Sequence, residues 1–544
     1  MVAKKLKEQI QYFLTNKVYM ISLILAAIAG YGYEITHSSM SIDDVCIEIY
    51  FEDGLGVGIG RWPFYLINKL FHITDFQPFI LEFVAVLFMV MAAILWSVVF
   101  LDILPKRLPI ICYIFFSTMF IDYSLIAEVF IYYLQNGVAI IYCLIALSIY
   151  IFYEMQIHEL LWMKKNGYMA MMSTFVGVAI SFYESAANLF LFGILLVMVI
   201  DAIGENRLKT NTFKGCFFSL FRMARILIYG IIGRSLITKL CMAVFGIEVY
   251  NYRSIRNILW IFENPDRIIV IVKQILRDYI AVGAEFYPIG IFVAASVVYF
   301  IFVLWATVRK RNVYLFLVSV VCYGSIFILS IAQGEAVPYR SNQMCAIFVA
   351  AVLFGISIFV MKIPVMWLKT IGCVLVVSVI YNSAFDLNHW FVFEYEKNQI
   401  EIEAVHNIAY ELRNGGYDIQ NKPVVFVGEY QFDLSLIKKF SMNEESVGYK
   451  WVKKLNADMG IETKEWHPYV QVLSSSLIDW GIMAFSGYEG NNREIIRLFE
   501  KEGYTLIWGG NEFYQRGLEY MEDLKRYPEE GFIREYEDCI VVRF

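Results

Sequence analysis

The chain has 544 residues, of which 59% are hydrophobic and 17% aromatic, while only 18% are charged. A soluble domain carries about a quarter charged residues, so this composition excludes a water-soluble globular enzyme, and no basic run is long enough for a nucleic-acid stripe. Charge is unevenly divided: from Asn382 onward 17 Lys+Arg stand against 28 Asp+Glu, while the remainder holds 28 against 23, so the positive surplus sits in the apolar part and bears on membrane orientation.

Apolar runs of roughly 20 residues, the length that crosses a bilayer, recur from Val18 to Tyr381. The first 17 residues are basic and polar, and no small-residue cleavage site follows the first run, which therefore reads as a retained span. Eleven spans are expected, at about 18–35, 77–101, 108–126, 134–153, 169–183, 186–203, 216–245, 287–307, 313–331, 343–361 and 365–383. Every second connection is basic: Lys4, Lys5, Lys7 and Lys17, then Lys106 and Arg107, Lys164 and Lys165, Arg207, Lys209 and Lys214, Arg309, Lys310 and Arg311, and Lys362. The intervening connections hold Asp43, Asp44, Glu48, Glu52, Asp53, Glu128, Glu184 and Glu335. Short basic loops stay in the cytoplasm, so the N-terminus is expected inside and the C-terminal region outside.

The first external loop, 36–76, contains "HSSMSIDDVCIEIYFEDGLGVGIGRW". Acids beside a span are costly to hold near hydrocarbon. Asp44 and its neighbour Asp43 are candidates for a general base, whose pKa a membrane boundary would raise; the alternatives are a solvated loop and Asp43 capping a short helix. The glycine run lacks the lysine and hydroxyl of a nucleotide loop and serves a tight turn. Arg61 beside Trp62 suits either a lipid headgroup or a substrate phosphate. Further along, Glu128 and the pair Tyr183–Glu184 in "SFYES" occupy short outer breaks, as cavity-lining or merely solvated groups. A second external region, 248–286, alternates apolar residues with Arg256, Arg267, Lys273 and Arg277, the pattern of helices lying in the membrane interface. Arg340, in "VPYRSNQ", has a fork that can grip a phosphate at two points, or can pair with Glu335. His37 is a candidate for substrate hydroxyls; His37, His72 and His158 have no metal-ligand spacing, and neither metal nor cofactor is expected. Seven cysteines lie in or beside apolar segments as packing residues, leaving Cys46 and Cys539 in polar regions.

Residues 1–384 are thus expected to form the membrane part and 385–544 an extracytoplasmic helix with a small α/β domain. An amphipathic helix around Glu394–Arg413 leads to a strand in "KPVVFVGEY", a helix in "NNREIIRLFEKEGY", and strands in "TLIWGG" and "CIVVRF".

The order of one span, "SIDD", "GRW", "SFYES" and "VPYRSNQ" resembles the polytopic glycosyltransferases of the C superfamily, and within it the bacterial serotype-converting glucosyltransferases of Gtr type II. The resemblance covers about residues 20–410 in layout. It implies an all-α polytopic fold in the bacterial plasma membrane, a polyprenyl-phosphate-linked glucose donor, a cell-surface glycan acceptor, and inversion at the anomeric carbon. It assigns Asp44 as base with Asp43 in support, Arg340 and Arg61 to the donor phosphate, and His37, Tyr183, Glu184, Trp62 and Glu128 to substrate. A glycan polymerase or a lipid-linked sugar flippase is the rival reading. The flippase would show internal repeats and more intramembrane charge, and the polymerase large arginine-bearing external loops.

Overall fold

The computed structural model describes residues 2–37, 39–41, 44, 54–71, 78–104, 108–130, 137–158, 162–210, 212–247, 260–430, 442–462, 476–483 and 492–544. Among them, nine helices are long and apolar enough to cross a membrane. The expected spans at 108–126 and 169–183 are not among the nine but are helical: Ile110–Ile121 followed by a 3-10 turn at Ser124–Ile126, and Trp162–Phe182. The chain is a helical, multi-pass membrane protein with little strand.

Local sequence explains where helices begin. Asn16 accepts from the Tyr19 N–H at 3.0 Å, Thr212 from Gly215 at 3.1 Å, and Asn312 from Tyr314 at 3.0 Å, each satisfying an otherwise orphaned first-turn donor. The basic N-terminal stretch is more ordered than a polar tail. It forms the helix Val2–Leu14, which buries Val2 and Phe13 and sends Lys5 to the buried carboxylates of Asp102 and Glu154.

The bundle interior is aromatic and closely fitted. Phe100 packs edge-on to Phe116 at 4.7 Å and stacks on Phe354 at 5.4 Å, while the buried Tyr19 hydroxyl shares hydrogen bonds with Ser97 and Ser117. Two helices approach more closely than side chains would allow. A Cβ on Gly177 of Trp162–Phe182 would lie 2.7 Å from the carbonyl oxygen of Gly230 on Phe213–Phe245. Small residues permit such backbone contact between membrane helices, and this one sets the distance between the two elements that carry the site.

The last expected span does not end at 383. Met366–Asn414 is one helix of 49 residues, roughly 70 Å at 1.5 Å per residue, so the amphipathic helix expected at Glu394–Arg413 is its continuation and position 384 lies inside it. Its C-terminal part presents Val405, Ile408 and Leu412 to a three-stranded sheet in the order β1 (Val424–Val427), β3 (Ile540–Arg543), β2 (Ile533–Glu535). β1 and β3 are parallel, with Val424 opposite Ile540; β2 and β3 are antiparallel. The helix expected in "NNREIIRLFEKEGY" is Arg493–Lys501. "TLIWGG" is not a strand; it touches the sheet through one bond, from the Val424 N–H to the Ile507 carbonyl. Met40, from the loop after the first span, is part of the same apolar cluster as these strands.

Of the segment 248–286 expected to lie in the interface, residues 248–259, with Arg256, lie outside the described residues; the rest holds the helix Arg267–Ile275, extended by a π turn and a 3-10 turn to Ala284. It exposes Ile269 and Val272 while Ile271 is buried. Helix Val447–Ala457 docks on it: the Glu285 carboxylate accepts from the N–H groups of Asn443 and Tyr449 and from the Ser446 hydroxyl, and Arg277 donates to Asn456 Oδ1 at 3.0 Å.

Candidate active site

The turn after "GLGVGIG" is built by its glycines. Leu55–Gly58 makes one helical turn, and the Arg61 N–H closes back on the Gly56 carbonyl at 2.7 Å. Gly60 has φ +88°, and a Cβ there would stand 2.6 Å from Nη2 of Arg234. Only glycine satisfies both conditions. The turn delivers Arg61 at the head of the helix Trp62–Phe71.

Arg61 meets the "SFYES" break directly. Its Nη2 donates to Glu184 Oε2 at 3.2 Å, and its guanidinium lies 4.8 Å from the centre of the Tyr183 ring. Arg234 donates through Nη2 to the other Glu184 oxygen, Oε1, at 2.9 Å, and to the Ile59 carbonyl at 3.2 Å. One carboxylate is thus held by two guanidiniums from two elements. Burial pushes the Glu184 carboxyl up, but the charges of Arg61 and Arg234 pull it down further, and its pKa ends below the ordinary glutamate value.

Tyr183 carries the link to the third segment: its hydroxyl and that of Ser341 are 3.2 Å apart. Ser341 follows Arg340 on the turn Tyr339–Ser341. That turn is fixed by the helix Arg267–Ile275 and its extension, because Arg267 Nε donates to the Gly334 carbonyl at 2.6 Å, Gln274 accepts from the Ala336 N–H at 2.9 Å, and the Tyr339 hydroxyl donates to the Asp278 carbonyl at 2.7 Å. Arg340, half-buried, lines a narrow cavity with Tyr123, Tyr142 and Asn342.

Asp44 has other surroundings. It is fully buried; its Oδ2 accepts from the Ser41 N–H at 3.0 Å and the Ser41 hydroxyl at 2.6 Å, while its own N–H donates to the Ser41 carbonyl. Ser41 and Asp44 thus hold each other across one turn of the chain. Lys501, from the C-terminal part, reaches its carbonyl at 3.5 Å. Asp43 lies outside the described residues, as does the side chain of Glu128 in the helix Ala127–Phe130. His37 is exposed and stacked on Tyr33 at 4.2 Å, with Nδ1 beside the Thr36 hydroxyl. Trp62 is buried among Val57, Tyr65 and Cys241. Among the described residues, no cluster of His, Cys, Asp and Glu has the arrangement of a metal site.

The structure therefore brings together Arg61, Tyr183, Glu184 and the turn bearing Arg340, and adds Arg234, which reading the sequence as spans had absorbed into an apolar run. The signal was present: an arginine inside such a run is costly unless it has a partner. Residues 32–381 match the model of the glucosyl transferase GtrII family. No curated protein and no solved structure matches the chain. Because that match covers more than half of the length and all the segments that meet at Glu184, the chain belongs to the GtrII glucosyl transferase family and is a glycosyltransferase.

Proposed function

We propose that the protein transfers glucose from a polyprenyl-phosphate donor to a cell-surface glycan at the outer face of the bacterial plasma membrane, with inversion. The observation that carries this reading is the convergence of "GRW", "SFYES" and Arg234 on one carboxylate, to which "VPYRS" is joined through Tyr183. An enzyme outside the cytoplasm meets a sugar donor through its lipid, and arginines at the end of a helical bundle suit the phosphate that links the two. The basic-loop pattern supports a cytoplasmic N-terminus and an external C-terminal part.

In the reaction, the acceptor hydroxyl attacks the anomeric carbon as the bond from that carbon to the phosphate oxygen breaks. Polyprenyl phosphate leaves with the electron pair, and the hydroxyl proton passes to Asp44, assisted by Asp43. Arg61 and Arg340 hold the phosphate as negative charge grows on it. His37, Tyr183, Glu184, Trp62 and Glu128 form the surroundings of the sugars. The test is turnover by purified protein in vesicles offered polyprenyl-phosphate-glucose and the surface glycan: glucose should move from lipid to glycan. An intact lipid-linked sugar, with turnover of a different donor, would overturn the reading.

A further inference from the structure

The helix Met366–Asn414 ends in "RNGGYD", and that ending builds a cleft in the C-terminal part. Gly415 caps the helix, and Gly416 follows at φ +75°, the left-handed conformation that glycine adopts without strain. The turn delivers Tyr417, whose hydroxyl donates to the Ile533 carbonyl at 3.3 Å. Tyr504, just after the helix Arg493–Lys501, comes to the same place: its hydroxyl is 2.8 Å from His406 Nδ1, and the Arg413 guanidinium lies 4.7 Å from the centre of its ring. Arg413, Tyr417, Asp418, Gln420, Tyr504 and Thr505 line an open cleft of about 870 Å³. Ligand sites run from roughly 300 to 1,000 Å³.

The lining selects the ligand. A sugar ring has apolar C–H faces and a rim of hydroxyls. Tyrosine offers a broad, rigid surface that loses little freedom on binding, and both rings here are already fixed through their hydroxyls. Arg413, Asp418 and Gln420 supply planar groups whose paired donors or acceptors match neighbouring hydroxyls. Arg413, Gln420 and Thr505 are exposed, so these groups are reached from solvent. A peptide strand is poorly matched, because the free edge of β1 is closed. The Val424 N–H donates to the Ile507 carbonyl at 3.0 Å, and the N–H and carbonyl of Phe426 both bond the Asn492 side chain. Lipid headgroups are distant on the proposed orientation: Arg413 lies about 45 Å of helix beyond position 383, the expected end of the span.

We propose that this cleft binds the acceptor glycan away from the bond being made, holding one part of the chain while another part receives glucose. This rests on the glycan-acceptor reading above. Asn398, on the same helix, donates to the carbonyl of Met40 in the loop that carries Asp44, and Arg413 stands about 22 Å of helix beyond it. A chain of several sugars spans that distance. Holding one part of it raises the local concentration of the rest at the reacting centre.

In the experiment, full-length protein is titrated with surface polysaccharide purified from cells that carry it, without lipid donor, and is then assayed for transfer with polyprenyl-phosphate-glucose. Thr505→Trp fills the cleft from an exposed position, and Arg413→Ala removes an exposed fork. Each should weaken polysaccharide binding and raise the KM for polysaccharide about tenfold, with kcat and the KM for the lipid donor within about twofold of wild type. The preserved kcat separates this result from misfolding. Thr505→Ser, which leaves the cleft open, should bind as the wild type does. Unchanged polysaccharide binding in Thr505→Trp and Arg413→Ala would overturn the inference and leave the transfer reading standing. A fall in kcat as large as the rise in KM would also overturn it, by tying both residues to the reacting centre or to folding. Loss of binding to anionic phospholipid vesicles in Thr505→Trp, with polysaccharide binding kept, would overturn it by making the cleft a lipid site. Polysaccharide binding that Thr505→Trp abolishes, in a protein that takes no glucose from the lipid donor, would uphold the cleft and sink the donor reading instead.

Discussion

Asp44 is asked to do two things at once, and single substitutions separate them. Its Oδ2 is held by the N–H and hydroxyl of Ser41. Ser41→Ala removes the hydroxyl that donates to Asp44 and should cost about 1 kcal/mol of stability while glucose transfer stays within a few-fold of wild type. Asp44→Asn keeps the size and most of the hydrogen bonding but removes the base, and should lower transfer by roughly 10²-fold or more in protein that still inserts. Equal losses in both variants would leave Asp44 with its structural role at Ser41 alone. Gly60 offers a second residue-scale test. Alanine there meets both a φ of +88° and a guanidinium 2.6 Å from its Cβ. Gly60→Ala should therefore destabilise by about 1 kcal/mol and raise the donor concentration needed for half-maximal rate, because Arg234 must shift. Unchanged donor dependence would show that Arg234 has room to move.

The pairing of Trp162–Phe182 with Phe213–Phe245 through Gly177 and Gly230 fixes how far Glu184 stands from Arg234. Gly230→Leu should force the two helices apart and reduce transfer by an order of magnitude or more, without preventing membrane insertion, since the spans remain apolar. Normal transfer in that variant would mean that the loops alone hold the cluster. Between the C-terminal elements, Asp479 on the helix Leu477–Met483 accepts from the Tyr430 N–H at 2.6 Å. Burial, with a smaller contribution from Glu429, nevertheless pushes its carboxyl from 3.8 up to about 6. A carboxyl whose folded pKa lies above its unfolded value binds more protons folded than unfolded across that window. Its stabilising effect is present at low pH and is lost as pH rises from about 4 to about 6, amounting to roughly 3 kcal/mol. Asp479→Asn should abolish that part of the pH dependence, which denaturant unfolding of the two proteins at pH 5 and pH 7 would measure. Parallel curves would sink the assignment.

Across the whole molecule, the first external loop and the C-terminal part are one construction: Met40 lies in the apolar cluster of the sheet, Asn398 donates to its carbonyl at 3.3 Å, and Lys501 reaches Asp44. On the proposed orientation all of this is outside. A tag at Phe544 should then be removed by protease added to intact cells stripped of any outer barrier. Protection until the membrane is opened would reverse the topology. The apolar runs and the helix at Arg267–Ile275 were legible in sequence because each is a local property: length against bilayer thickness, and period against a helix face. The same holds for the strands in "KPVVFVGEY" and "CIVVRF". The "TLIWGG" stretch misled because a short apolar run has no ladder until a neighbour supplies one. Sequence also marked Arg61, Tyr183, Glu184 and Arg340 as polar residues at outer breaks, without saying which of them meet. Tertiary structure decided that Glu184 is shared by two arginines, that Arg234 is one of them, and that Lys501 reaches Asp44. Those facts depend on which helices become neighbours and at what distance, and a glycine pair such as Gly177 and Gly230, some 50 residues apart, acquires its meaning only when the backbones touch.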